Sequence, residues 1–179
     1  FITESPDGEV WFGTNAHGVQ IWSDSSFTAL DTLNGLPSNQ IWDIQFLRDN
    51  EAWIATMNGV AVYDEGEGIQ QAWTSKDGLS GGAAYQVFEA SDKTIWIPTS
   101  DGITLISPDN ELSTIKEING ERLAYVYNVN QDDDGLIWIG TERRGLYWFD
   151  GESYTHITKK NGLSSNYIYR LIKADDGAI

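Results

Sequence analysis

The stretch GLIWIGTERRGL, residues 135–146, sets two adjacent arginines in one short segment. Paired guanidinium groups suit recognition of a carboxylate, a sulfate or a uronic acid, because each presents a planar fork of donors. The background makes them conspicuous: 11 Lys and Arg stand against 27 Asp and Glu, a formal net charge of −16. Such a charge repels phosphate backbones and anionic headgroups, so neither nucleic acid nor direct membrane contact is expected. The plainer role for Arg143 and Arg144 is pairing with Glu121 or Glu142.

Other reactive residues are sparse. His17 and His156 form no spaced ligand pair, and two histidines do not make the usual three-ligand zinc centre. The DDDG run at 132–135 lacks the downstream glutamate that closes a calcium loop, so it reads as a solvated turn. Cysteine is absent, which excludes disulfides and thiolate chemistry. Neither a P-loop nor a dinucleotide glycine pattern occurs. No catalytic residue, metal or cofactor is therefore expected, and the segment reads as non-enzymatic.

The arginine block is one of four. GEVWFGTNAHGV (8–19), NEAWIATMNGVA (50–61) and KTIWIPTSDGIT (93–104) repeat its pattern, with Trp11, Trp53, Trp96 and Trp138 spaced by 42, 43 and 42 residues. A second marker keeps the same phase in NGLPSNQIWDIQF (34–46), DGLSGGAAYQVFE (77–89), NGERLAYVYNVNQ (119–131) and NGLSSNYIYRLIK (161–173). A period near 42 with strand-like content predicts propeller blades. Alternation in QIWDIQF, AYQVFEA, YVYNVNQ and YIYRLIK predicts a first strand. Tight turns follow at SPDG, RDN, SDK, DDDG and ADDG, where Gly or Asn supplies positive φ. The tryptophan block forms the second strand, the segments after Gly18, Gly59, Gly102 and Gly145 the third, and a less regular fourth closes each unit.

The fold class expected is all-β: a β-propeller of four-stranded blades, here four blades of a larger, seven-bladed ring. The repeats fall at about 1–42, 43–85, 86–127 and 128–169, and 170–179 aligns on 1–10 as the start of a fifth. That overlap suggests a segment of a longer array, whose open blade edges favour self-association. The block tryptophans should face one neighbouring blade and Phe12, Ile54, Ile97 and Ile139 the other. Small residues at Gly13, Ala55 and Gly140 allow close approach beside the ring, and Pro98 should cause a bulge or local loss of pairing.

Ligands of propellers bind on the face formed by loops leading into each first strand and loops joining second to third strands. By register that face holds Asn39, Arg122 and Asn166 on the former, and His17, Arg143 and Arg144 on the latter. These six are the candidate ligand-binding residues.

The pattern NGLSSN-I--I--DDG-IW with WIGT--GL resembles the two-component regulator propeller repeat. The resemblance extends over all four units and is best in the last repeat and the Trp138 block. It implies an extracytoplasmic propeller in the periplasmic sensor part of a hybrid two-component histidine kinase or related receptor. A small molecule or glycan, or a partner, would bind the loop face without being transformed. Three places depart from the pattern: Pro98, GGAA at 81–84, and NGERLAY at 119–125. Streptogramin lyases, also propellers, use a histidine and an acid near the central axis. The alternative function is accordingly a lyase or hydrolase using His17 with a nearby acid, and a third reading is a plain interaction scaffold.

Overall fold

The computed structural model describes residues 1–47 and 51–179, in two compact units, Phe1–Val87 and Phe88–Ile179. The turn read at RDN, 48–50, lies outside the described residues. The first unit holds two antiparallel meanders: β1 (Ile2–Glu4), β2 (Val10–Gly13), β3 (Val19–Ser23) and β4 (Ser26–Leu30), then β5 (Ile41–Phe46), β6 (Ala52–Thr56), β7 (Gly59–Asp64) and β8 (Gly68–Trp73). The second unit repeats this with β9 (Phe88–Glu89), β10 (Ile95–Thr99), β11 (Gly102–Ile106) and β12 (Leu112–Ile115). A two-stranded ribbon, β13 (Glu117–Ile118) and β14 (Glu121–Arg122), comes next. The last meander is β15 (Val126–Gln131), β16 (Ile137–Thr141), β17 (Leu146–Phe149) and β18 (Tyr154–Ile157). These are the four-stranded blades that the repeat predicts. The boundaries drawn at 42/43 and 127/128 fall inside β5 and β15, because each sheet begins slightly earlier.

The second strand is the best covered. All five residues of β6 and of β10 are buried, as expected of a strand packed on both faces. Ile54, Ile97 and Ile139 are wholly inaccessible. Trp11 packs edge-on against Phe46 at 5.1 Å and Tyr63 at 5.6 Å, which joins the two sheets of the first unit. Burying a side chain of this size contributes about 2–3 kcal/mol. Trp138 is only half-buried, and its indole N–H donates to Asp132 at 2.7 Å. Trp53 and Trp96 have buried indole nitrogens without a partner among the described residues, so packing alone holds them.

The glycines have separate reasons. A Cβ on Gly13 would stand 2.8 Å from Cγ2 of Ile41, and one on Gly140 2.8 Å from Cγ2 of Ile168. The close approach is thus to an isoleucine at the first-strand position of the following repeat. Gly18, Gly59, Gly102 and Gly145 all have positive φ, and a Cβ there would fall on the carbonyl oxygen of Leu30, Trp73, Ile115 or Ile157. Each fourth strand crosses the start of its third strand too closely for any side chain.

Three expectations need amendment. AYQVFEA gives only the two-residue β9, whose pairing with β10 stops at Trp96–Phe88, short of Pro98. Proline has no amide to donate towards that strand, while its pairing with Ile103 on the other side continues in register. This is the local loss of pairing expected there. YIYRLIK at 167–173 forms no strand; Ile168 N–H still donates to the Thr141 carbonyl at 2.9 Å, but no second strand lies beside it among the described residues. At SDK, Lys93 rather than Gly or Asn takes positive φ, at 71°.

Candidate functional site

Two of the six candidate residues carry out the same local task in different units. The Asn39 side-chain oxygen accepts from Thr32 N–H at 2.8 Å, and its carbonyl accepts from Gly18 N–H at 2.9 Å. The Asn166 side-chain oxygen accepts from Lys159 N–H at 2.8 Å, and its carbonyl accepts from Gly145 N–H at 2.8 Å. In each case the asparagine ties the loop before a first strand to the loop joining second and third strands. The short turns Thr32–Asn34 and Lys159–Asn161 that they hold have matching capping boxes from Asp31 and Thr158.

The third repeat is built otherwise. Instead of the capped turn, residues 117–122 form the β13–β14 ribbon, which pairs Glu117 with Arg122 and Ile118 with Glu121. Asn119 and Gly120 supply positive φ at its tip, and buried Ile118 and Leu123 anchor it. The chain then passes through Tyr125, whose φ of 52° lies in the left-handed region that a bulky residue rarely adopts. Tyr125 is held there by its N–H donating to Ser100 at 3.1 Å and its carbonyl accepting from Glu142 N–H at 3.0 Å. The residue remains 46% exposed.

This ribbon lies beside the 142–144 loop, and the cations sort by partner. Arg144 pairs with Glu121 at 2.6 Å, and Tyr147 O–H donates to the same carboxylate at 3.4 Å. Arg122 makes two contacts to one oxygen of Asp101, at 2.7 and 3.2 Å, with Lys116 at 3.5 Å from the other oxygen. The guanidinium of Arg122 holds the Asp101 carboxyl below its ordinary value. Arg143 is different: its nearest acid is its neighbour Glu142 at 3.9 Å, and its side chain is 74% exposed. Burial, followed by the Glu121 charge, pushes the Tyr147 phenol up to about 12. His156 lies flat on Tyr147 at 4.1 Å and donates from Nε2 to the Arg144 carbonyl.

Arg143 and Arg144 line two open hollows of about 540 and 530 Å³ within the second unit. Lys159, Lys160 and Asn166 line the first, and Arg122, Tyr125 and Glu142 the second. Five of the chain's eleven Lys and Arg therefore border one groove. The structure thus brings Arg122, Arg143, Arg144 and Asn166 together in the second unit, whereas His17 and Asn39 belong to the first. His17 is exposed, its backbone N–H donates to Thr14 Oγ1 at 2.8 Å, and no acid bonds to its ring among the described residues.

Sequence reasoning missed Tyr125, Lys159 and Lys160, and it missed an aromatic position in the first strands. Trp42, Tyr85, Tyr127 and Tyr169 recur at spacings of 43, 42 and 42 residues. Trp42 meets Tyr85 edge-on at 5.4 Å in the first unit, and Tyr127 stacks on Tyr169 at 5.4 Å in the second. The repeat itself was the signal. The run GLSGG at 78–82 has the spacing of a nucleophile elbow, but Ser80 is buried and no helix follows it.

Residues 120–143, which take in β14, β15 and β16, match the family model for the two component regulator propeller. No curated protein matches the chain. Among solved structures, an extracellular domain ascribed to a hybrid two-component system of B. thetaiotaomicron superposes with a TM-score of 0.82 at 19% identity, covering 99% of this chain and 25% of that one. Another from the same organism gives 0.80 at 22% identity, with 98% and 25% covered. Virginiamycin B lyase from Staphylococcus aureus gives 0.65 at 17% identity, with 89% and 56% covered. The chain thus spans about a quarter of the length of the extracellular domains it resembles, and the likeness establishes the fold. Among the described residues no helix is long and apolar enough to cross a membrane.

Proposed function

We propose that this chain, which carries the two-component regulator propeller repeat, is a ligand-sensing region of a transmembrane signalling receptor, facing the periplasm. It binds a small molecule or glycan on its loop face and does not transform it. The observation that carries this reading is the coincidence of two departures from the repeat. The third repeat replaces the shared capped turn with the β13–β14 ribbon, and the adjoining loop carries Arg143 and Arg144, both opening on one groove. Scaffold positions recur because every blade needs them; positions that break the repeat beside a hollow are free to serve a ligand.

For a signal to result, the ligand must favour one receptor arrangement over another. The Arg144–Glu121 pair links the ribbon to the 142–144 loop, so a ligand that engages either partner changes how firmly the two are held. The test is retention of the chain on an array of neutral and acidic oligosaccharides, followed by mass spectrometry of the released ligand. Retention that Arg144→Ala weakens, with the ligand recovered intact, supports the reading. A ligand recovered cleaved, or no retention on any sugar, overturns it.

A further inference from the structure

The groove is polarised, and its two kinds of surface together define a ligand chemistry. We infer that Arg143 is the specificity-determining residue of a subsite for a carboxylated sugar ring, with the exposed face of Tyr125 as its platform. This rests on the sensing role proposed above and adds the class of ligand.

The cations differ in their partners. Arg122 and Arg144 are engaged by Asp101 and Glu121 at 2.7 and 2.6 Å. Among the described residues Arg143 has only the loose contact to Glu142, at 3.9 Å, and it lines both hollows. A guanidinium free of a close acid retains its planar fork of donors, and that fork matches the two oxygens of a carboxylate. Charge balance points the same way. The groove and its immediate partners set Arg122, Arg143, Arg144, Lys159 and Lys160 against Asp101, Glu121 and Glu142, which leaves a small positive excess. An anion is attracted there, and the fork of Arg143 suits a carboxylate among anions.

A tyrosine stands beside the arginine. Tyr125 lines the same hollow as Arg143, is 46% exposed, and occupies a left-handed backbone conformation at φ 52°. Non-glycine residues persist in that region where the surroundings impose it, and such places concentrate at binding sites. The stacked rings of Tyr127 and Tyr169 belong to the same unit. An exposed aromatic face takes the C–H face of a pyranose, and an arginine beside it takes the acid on that ring.

The test is isothermal titration of the chain with galacturonate, mannuronate and glucuronate oligosaccharides, each beside its methyl ester, which keeps the ring and removes the charge. The acids should bind at least tenfold more tightly than their esters. Arg143→Ala should reduce acid affinity by about 10–100-fold and leave ester affinity unchanged, and Arg143→Lys should fall between. Lys76→Ala removes a cation from the first unit and serves as the control for a general charge effect. Equal loss in that variant overturns the inference, as does equal binding of acid and ester. If inorganic phosphate or sulfate competes as well as the acid sugars do, the subsite is a general anion site and the inference falls. Capture of only neutral sugars overturns it too, while leaving the sensing role intact; failure of every sugar overturns both.

Discussion

Gly145 stands directly beneath the arginine loop, and replacing it with alanine tests how the blade positions that loop. Its φ is 80°, where an L side chain is strained by about 1–2 kcal/mol. A Cβ there would also fall on the Ile157 carbonyl oxygen, a backbone atom that moves only if β18 moves. Forced displacement of packed structure adds about 1–3 kcal/mol. Reduced freedom of the unfolded chain returns about 0.5–1 kcal/mol. The expected loss for Gly145→Ala is therefore about 2–4 kcal/mol. Gly151 is the matched comparison, since its φ is 98° but a Cβ there meets nothing within 4 Å. Gly151→Ala carries only the strain less the entropy gain, about 1 kcal/mol or below. Urea unfolding followed by tryptophan fluorescence measures both variants. Equal losses would refute the argument, because the close approach of the Ile157 carbonyl would then contribute nothing. Gly145 also accepts from Thr141 N–H at 3.1 Å and Thr141 Oγ1 at 2.8 Å, so a shifted backbone should weaken ligand binding as well.

The titrating groups give two further expectations. The Tyr147 phenol, raised from 10.0 to about 12, keeps its proton longer in the folded state than in the unfolded one. Its contribution is complete below pH 10 and is lost as pH rises towards 12; ultraviolet titration should find one tyrosine ionising well after the exposed ones, and simultaneous ionisation of all would contradict its burial. Asp101 has the opposite sign: the Arg122 contact lowers its carboxyl, so its contribution is present above the ordinary value of 3.8 and is lost as pH falls through the folded value. Asp101→Asn should flatten the acid limb of stability against pH, and an unchanged limb would show that the Arg122 contact does not form in solution.

Much of the blade was legible because the same physical demand recurs four times. Tryptophan followed by a small residue, and a glycine before the third strand, answer to packing and to a carbonyl that leaves no room for Cβ. Such local needs leave a periodic trace. β9 and residues 167–173 were less legible. Their sequences alternate as strands should, yet a strand exists only where its partner can pair, and Pro98 removes that on one side. Pairing is a property of two segments, whereas alternation is a property of one.

The groove shows the same distinction more sharply. Asn39 and Asn166 looked like ligand residues because they are polar and on the right loops, but each side-chain oxygen is engaged by the backbone of its own capped turn. In the third repeat Ala124 stands at that position and has no carboxamide to hold such a turn. The loop must satisfy its backbone otherwise, and it does so by pairing β13 with β14 and by bending Tyr125 to reach the Ser100 carbonyl. The ribbon presents Glu121 and Arg122, and Tyr125 lines the same hollow as Arg143; the second repeat, with Gly82 at the asparagine's position, instead keeps a turn in which Asp77 accepts from Thr74 N–H. The missing Ser-Asn step was visible in the sequence; the contacts the ribbon makes instead, Arg122 with Asp101 and Glu121 with Arg144, join separate segments and leave no periodic trace.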